Sequence, residues 1–292
     1  MKIVITGSLG NVAKPLTQQL VAEGHDITVI SSNENRKQDI ESLGATPAIG
    51  SITDVDFLTQ TFQGADAVFV MTPPAISATH IVENTTNAGK NYAEALKNAH
   101  VKRAVMLSSV GAASPVENGP IKGLHHIENL YQNVENTSFT FLRAGYFYTN
   151  FFNDIPLIQN AGIIGGNYPE NIEIPVVHPH DIAKAAAEEL VKDQAGKNIR
   201  YIVSDNRKAS DFASVLGASV QKPELPWVEF SDEDALNGML QAGLPQDMAE
   251  LYVEMGKGMR TGTIQKDFIE HGSPVTGNIK LEDFAKEFSS KF

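Results

Sequence analysis

Five short apolar runs, each followed by a longer amphipathic stretch, set the strongest limit on how this chain can fold. Lys2–Thr6 (KIVIT) reads as a strand, and a helix follows over about 13–23. Asp26–Ile30 (DITVI) is a second strand with a helix over 34–43, and Thr46–Ile49 a weaker third with a helix over 54–62. Asp66–Met71 (DAVFVM) is apolar at nearly every position, as expected of a strand covered by helices on both faces. A long helix over about 79–99 then leads to Ala104–Ser108 (AVMLS), the fifth strand. This alternation predicts an α/β fold built on a doubly wound parallel Rossmann-type sheet, with ligands beyond the carboxyl ends of its strands.

Further units follow: a helix near 127–133, strands at Phe139–Leu142 and about 172–176, a helix over 181–191 and a strand at Arg200–Val203. From about Asn206 helical patterns dominate, over 210–220, 232–242, 246–255 and 281–288, with Trp227 in a short apolar run at 226–230. The expected division is a Rossmann-type domain over 1–205, with about 146–172 also lining its cleft. Residues 206–292 form a small, mostly helical C-terminal cap packed on it.

Composition narrows the function. The absence of cysteine among 292 residues removes disulfides, thiolate catalysis and cysteine-ligated zinc. The first apolar run is too brief for a signal-peptide core, and no stretch approaches the roughly 20 apolar residues that span a bilayer. A soluble, cytoplasmic protein without a membrane partner is expected. A net charge of −12 repels nucleic acid and anionic lipid. A dinucleotide is also an anion, so binding one requires local donors.

Such donors are available after the first strand. Gly7-Ser8-Leu9-Gly10-Asn11-Val12-Ala13 has the spacing G-x-x-G-x-x-A, and it opens the first helix. Small residues there let a phosphate approach the free N–H groups and the positive end of the helix dipole. A plain strand-to-helix turn would use the same glycines. The position of this loop in the first strand–helix unit favours the phosphate seat. At the tip of the second strand the chain reads Ile30-Ser31-Ser32-Asn33, where an NAD site usually places an acid. Glu34 comes slightly late, and Arg36 and Lys37 follow. Hydroxyls, an amide and two cations suit a 2′-phosphate, so NADP(H) is preferred over NAD(H). The competing reading makes Arg36 and Lys37 a solvated helix face.

Three other clusters stand out. Tyr146, Phe147, Tyr148, Phe151 and Phe152 either pack a core or form a flat-sided pocket for a planar aromatic or quinone-like acceptor. His125 and His126 either donate a proton to such an acceptor or sit at a solvated helix start. His178-x-His180-Asp181 reads as a helix start rather than a metal cluster, and no metal is expected. The sequence carries neither a G-x-S-x-G elbow nor a P-loop.

Together with the glycine loop, several motifs give the chain a resemblance over nearly its whole length. They are Thr72-Pro73-Pro74, Ser108-Ser109, Phe141-Leu142-Arg143-Ala144-Gly145, Phe147 to Asn150, and Val177-His178-Pro179-His180-Asp181-Ile182-Ala183. The chain resembles the NmrA-like branch of the atypical short-chain dehydrogenase/reductases, which includes NADPH-dependent quinone and dye reductases and fungal redox-sensing regulators. The resemblance implies that Gly7, Ser8, Leu9, Gly10, Asn11 and Val12 hold the pyrophosphate. Ser31, Ser32, Asn33 and Arg36 would take the adenosine ribose phosphate, and Ser51 and Ile52 would lie near the adenine. Thr72, Pro73, Pro74 and Ser108 would run along the nicotinamide side. Phe147, Tyr148, Thr149 and Asn150 would wall the nicotinamide pocket, with Tyr146, Phe147 and Phe151 toward the acceptor. Asp181 matches a helix start, where capping is its simplest role.

One departure is plain. Short-chain dehydrogenases transfer protons with Tyr-x-x-x-Lys, and counting back from Glu128 puts Pro120 and Leu124 at those positions. An NADPH-dependent oxidoreductase acting on an electrophilic, conjugated acceptor does not need that pair. Neither does a non-catalytic NADP(H) sensor acting through a protein partner, and both stay open. An epimerase or dehydratase, which normally keeps the pair, ranks last. A homodimer is compatible with either of the first two.

Overall fold

The structure, a computed structural model, describes residues 1–73 and 79–292. Pro74, expected along the nicotinamide side, lies outside the described residues. In chain order the first elements are β1 (Lys2–Ile5), α1 (Ala13–Ala22), β2 (Asp26–Ser31), α2 (Lys37–Ser42), β3 (Thr46–Ile49) and α3 (Val55–Phe62). There follow β4 (Ala67–Val70), α4 (Ile81–Asn98), β5 (Arg103–Ser109), α5 (Lys122–Gln132), β6 (Ser138–Ala144) and β7 (Tyr146–Phe147). Next come α6 (Ile155–Ala161), β8 (Ile164–Gly166), β9 (Glu173–Val177), α7 (Pro179–Leu190), β10 (Lys197–Ile202) and β11 (Asp205–Lys208). The chain ends with α8 (Ala209–Ser219), β12 (Trp227–Glu229), α9 (Asp232–Gln241), α10 (Gln246–Thr261), α11 (Lys266–Glu270) and α12 (Leu281–Ser289).

Seven strands form one parallel sheet in the order β3-β2-β1-β4-β5-β6-β10. The alternation of side chains along each strand explains its two covered faces. Ile3, Ile5, Phe69 and Val105 pack on one face with Leu16 and Leu20 of α1 and Ile182 and Ala186 of α7. Val4, Val68, Val70 and Met106 point the other way, onto Leu58, Phe62, Tyr92, Leu96, Ile127 and Tyr131 of α3, α4 and α5. Strand order reverses between β1 and β4, which opens a crevice beyond their carboxyl ends. The doubly wound Rossmann-type sheet is as the alternation predicts.

A second core lies past that end. Tyr148, Phe151, Val176, Tyr201, Phe212, Leu216, Phe268, Phe284 and Phe288 join residues of the C-terminal helices to the small sheet β11-β9-β7. The strand expected near 172–176 is therefore present as β9 but stands outside the central sheet. The helix expected from Glu34 begins as a 3-10 turn over Glu34–Arg36. Strands β7, β8, β11 and β12 are two to four residues long, too short to leave a period in the sequence. Lys122 bonds Glu254 at 3.1 Å, and Arg143 pairs with Asp267, tying the C-terminal helices to the sheet side.

Candidate functional site

The turn after β1 has the shape of a phosphate cradle. Gly7 has φ +96°, and a Cβ there would run into the Met71 side chain, so only glycine fits. The amide of Gly10 donates to Gly7 O at 3.2 Å, and Lys14 N to Gly10 O at 3.0 Å. Among the described residues, the amides of Asn11, Val12 and Ala13 find no backbone acceptor, and no side chain caps α1. Three donors thus converge at the start of a ten-residue helix. This cradle fits a dinucleotide pyrophosphate.

The adenosine end divides into buried supports and exposed donors. Ser31 is buried, and its hydroxyl accepts from Ser8 Oγ at 3.0 Å and from Asn33 N at 3.2 Å. It braces the loop against β2. The Asn33 side chain accepts from Asn35 N and caps the 3-10 turn. Ser32, Arg36 and Lys37 are exposed beside it, with Arg36 paired to Asp39 at 3.3 Å. Ser51 closes a tight turn with Thr53, and Ile52 O accepts from Asn91 Nδ2 at 3.1 Å. Gly50 N donates to Ser31 O at 3.0 Å, so the ends of β2 and β3 lie side by side.

Beyond β4 the chain is clamped. Met71 N donates to Thr6 Oγ1 at 2.8 Å, and the buried Tyr92 hydroxyl donates to Met71 O at 3.1 Å. Burial pushes Tyr92 up to about 12, so it remains a donor. Met71 and Thr72 open onto a cavity of about 270 Å³. Leu107, Ser108 and Ser109 line it from β5 and Val110 from just beyond, with Pro120 and Ile121 from the turn before α5 and Leu124 from α5. Gly145, Tyr146, Phe147 and Asn150 follow from the β6–β7 corner, with Ile174 and Pro175 of β9. Gly145 is required where β6 passes the Pro175 carbonyl, since a Cβ would overlap it. The C-terminal region closes the cavity with Tyr252, Met255, Met259 and Ile264.

Several expected residues fall elsewhere. Tyr148 is fully buried and stacked on Phe284, and Phe151 is stacked on Phe212. Both belong to the second core and do not line this cavity. The turn over Tyr148–Asp154 is 3-10, with three residues per turn, so Tyr148 and Phe151 share one side. Phe147 and Asn150 share the other, and Thr149 is half-buried outside the cavity lining.

The histidines are also displaced from the chemistry. His125 bonds Ala112 O through Nδ1 at 2.7 Å and Asn129 Nδ2 through Nε2 at 2.9 Å, so neither nitrogen is left for a ligand. His126 lies by Thr86 and His80, in a separate surface pocket. Partial burial, His125 and Lys122 hold its pKa below the usual histidine range. Neither histidine lines the cavity, which this region borders with Pro120 and Ile121 of the turn before α5 and Leu124 of α5. His178, not Asp181, caps α7 by accepting from His180 N at 3.2 Å. Asp181 accepts instead from Ser204 Oγ at 2.6 Å and Ile279 N at 3.1 Å.

Ser108 is buried at the base of the cavity and donates to Glu128 at 2.5 Å. The Glu128 carboxylate also accepts from Arg143 Nε at 3.2 Å and Nη2 at 2.6 Å. Desolvation lowers Arg143, but Glu128 and Asp267 outweigh it and hold the guanidinium above its ordinary pKa. Burial, with smaller contributions from Asp154, Tyr168 and Tyr252, raises Tyr146 well above the usual tyrosine range. Burial also raises Tyr252. Both phenols are therefore protonated.

Residues 7–149 match a family model described as NAD(P)H-binding. The chain is 25% identical over 258 residues to the NAD(P)H azoreductase of Xenophilus azovorans, covering 87% of this chain and 85% of that protein. It superposes on the crystal structure of the NADPH-dependent quinone oxidoreductase from Escherichia coli complexed with NADPH, with a TM-score of 0.80 and 19% identity. That match covers 98% of this chain and 99% of the other. The triphenylmethane reductase of Citrobacter sp. gives a TM-score of 0.78 and 19% identity, covering 98% and 100%. At these identities the structural likeness bears on the fold. The family match and the fold both fit the resemblance read from the sequence.

Proposed function

We propose that this chain is an NmrA-like atypical short-chain dehydrogenase/reductase that reduces quinone-like or other conjugated aromatic acceptors with NADPH, without a Tyr-x-x-x-Lys pair. The observation that carries this reading is the continuity of two features. The cradle at Gly7 leads along the clamped ends of β1 and β4 into an apolar cavity lined by Phe147, Tyr146, Tyr252 and Met255. Similarity to an azoreductase over most of both chains supports it.

Gly7 to Val12 would hold the pyrophosphate on backbone amides. Ser32, Arg36 and Lys37 would meet a 2′-phosphate, which is the reason for preferring NADP(H). Ser51 and Ile52 would border the adenine, and Thr72, Pro73 and Asn150 the nicotinamide side. When bound, the cofactor supplies a hydride. The chain supplies position and dryness: apolar side chains from β5, α5 and α10 exclude water and hold a flat acceptor against the crevice. Pro120 and Leu124 line the cavity and carry no proton. The protonated hydroxyls of Tyr146 and Tyr252 are the donors an acceptor oxygen or nitrogen would meet, with water completing protonation. Among the described residues no helix is long and apolar enough to cross a membrane.

The test is NADPH oxidation with a panel of quinones, azo dyes and triarylmethane dyes, comparing wild type with Gly10→Glu. Turnover abolished by the substitution supports a reductase with its cofactor on this loop. NADPH binding without turnover on any acceptor replaces this reading with a redox sensor.

A further inference from the structure

We propose that Ser108 makes the cavity selective for acceptors bearing an N–H or O–H group, such as amino- or hydroxyquinones and hydrazone-form dyes, over acceptors that present only carbonyl oxygens. This deepens the reductase reading and rests on it. The Ser108 hydroxyl donates at 2.5 Å to Glu128 Oε1, and Arg143 fixes that carboxylate through both of its oxygens, at 3.2 and 2.6 Å. Ser108, Glu128 and Arg143 are all buried.

A hydroxyl has one proton and two lone pairs. With the proton spent on Glu128, Ser108 Oγ has only lone pairs left to offer a ligand in the cavity that Ser108 lines. Its neighbour is committed in the same sense: Ser109 Oγ donates to Val110 O at 2.8 Å, and it too lines the cavity. Turning the Ser108 proton toward a ligand carbonyl would exchange a charge-assisted bond for a neutral one, roughly half as strong. It would also leave a buried carboxylate short of a donor. A carbonyl placed here meets lone pair against lone pair, whereas an N–H or O–H finds a free acceptor. The β5 wall therefore accepts, while the phenols of Tyr146 and Tyr252, which also line the cavity, are the side chains able to donate across from it. An acceptor with a carbonyl at one end and a donor at the other satisfies both walls.

The probes are an aminonaphthoquinone and the methylnaphthoquinone substituted at the same carbon, which are close in size. Each is titrated calorimetrically into the full chain saturated with NADP+, so that no turnover interferes. Wild type is expected to bind the amino compound about tenfold more tightly or better. Ser108→Ala is expected to lose that margin, and Ser108→Thr, which keeps a hydroxyl, to retain it. Equal affinities in wild type, or a margin that survives Ser108→Ala, would overturn the proposal. So would a Ser108→Ala chain that binds NADP+ more weakly with its margin intact, since the hydroxyl would then serve the cofactor. NADPH oxidation with the same two quinones separates the two readings. A binding margin without turnover keeps the Ser108 assignment and removes the reductase.

Discussion

The Met71 amide donates to the Thr6 hydroxyl at 2.8 Å, joining the first residue after β1 to the first residue after β4 where the strand order reverses. Thr6 is fully buried, so no water replaces the hydroxyl if it is removed. Thr6→Val keeps the shape and orphans the amide, a loss of about 1–3 kcal/mol. Urea unfolding measures it. An unchanged midpoint would mean that the clamp contributes nothing.

Gly7→Ala is expected to act on the cradle itself. Its φ of +96° strains any side chain, and the new methyl group meets Met71. NADPH affinity, read by fluorescence titration, should fall at least about tenfold. An alanine variant that binds like wild type would remove the phosphate seat from this loop.

Under the proposed function, Arg36 and Lys37 would carry the cofactor preference. Removing both with alanine should raise the KM for NADPH about tenfold or more while leaving that for NADH nearly unchanged, because only the 2′-phosphate loses its charge partners. Parallel losses with both cofactors would assign these residues to the solvated helix face.

The Glu128–Arg143 pair predicts a stability effect. Both side chains are buried, so Arg143→Leu leaves a carboxylate without its guanidinium, at a cost of about 3–5 kcal/mol. Changing Glu128 to leucine as well should restore part of the loss, as measured in a double-mutant cycle by chemical unfolding. A double variant weaker by the sum of the singles would show no coupling.

Asp154 predicts a pH dependence. Burial pushes its carboxyl from the ordinary 3.8 up to about 7, and its side chain makes no cap to α6. A carboxyl raised in the folded state favours folding while protonated, so its contribution is full below about 4 and is lost as pH climbs toward 7. Asp154→Asn should match wild type near pH 4 and exceed it by about 2–4 kcal/mol at pH 8. A stability gap that does not change with pH would refute this.

What was legible in the sequence was local. The glycine loop follows its strand within two residues, and the alternation of five strands with helices fixes the crevice. The aromatic run was legible as a cluster but not as two faces. Its 3-10 turn sends Tyr148 and Phe151 into the second core and leaves Phe147 and Asn150 on the cavity. Helix α5 likewise hides a phase: Ile121 and Leu124 face the cavity, and His125 and His126 point around the helix from them. Tyr252, Met255, Met259 and Ile264 carry no local signal, because their partners across the cavity lie far earlier in the chain and no spacing records a contact of that range. The Ser108–Glu128–Arg143 chain joins β5, α5 and β6 across separations of 20 and 15 residues, which match neither the helix nor the strand period.

The far wall of the cavity is drawn from a single helix and the turn after it, at the opposite end of the chain from the glycine loop. A change of ligand can therefore be made by rewriting residues 252–264 while the β5 wall is kept. The grip on a nucleotide, held by the first strands, can be inherited intact. Descendants of this scaffold can diverge in what they consume while remaining uniform in what drives them.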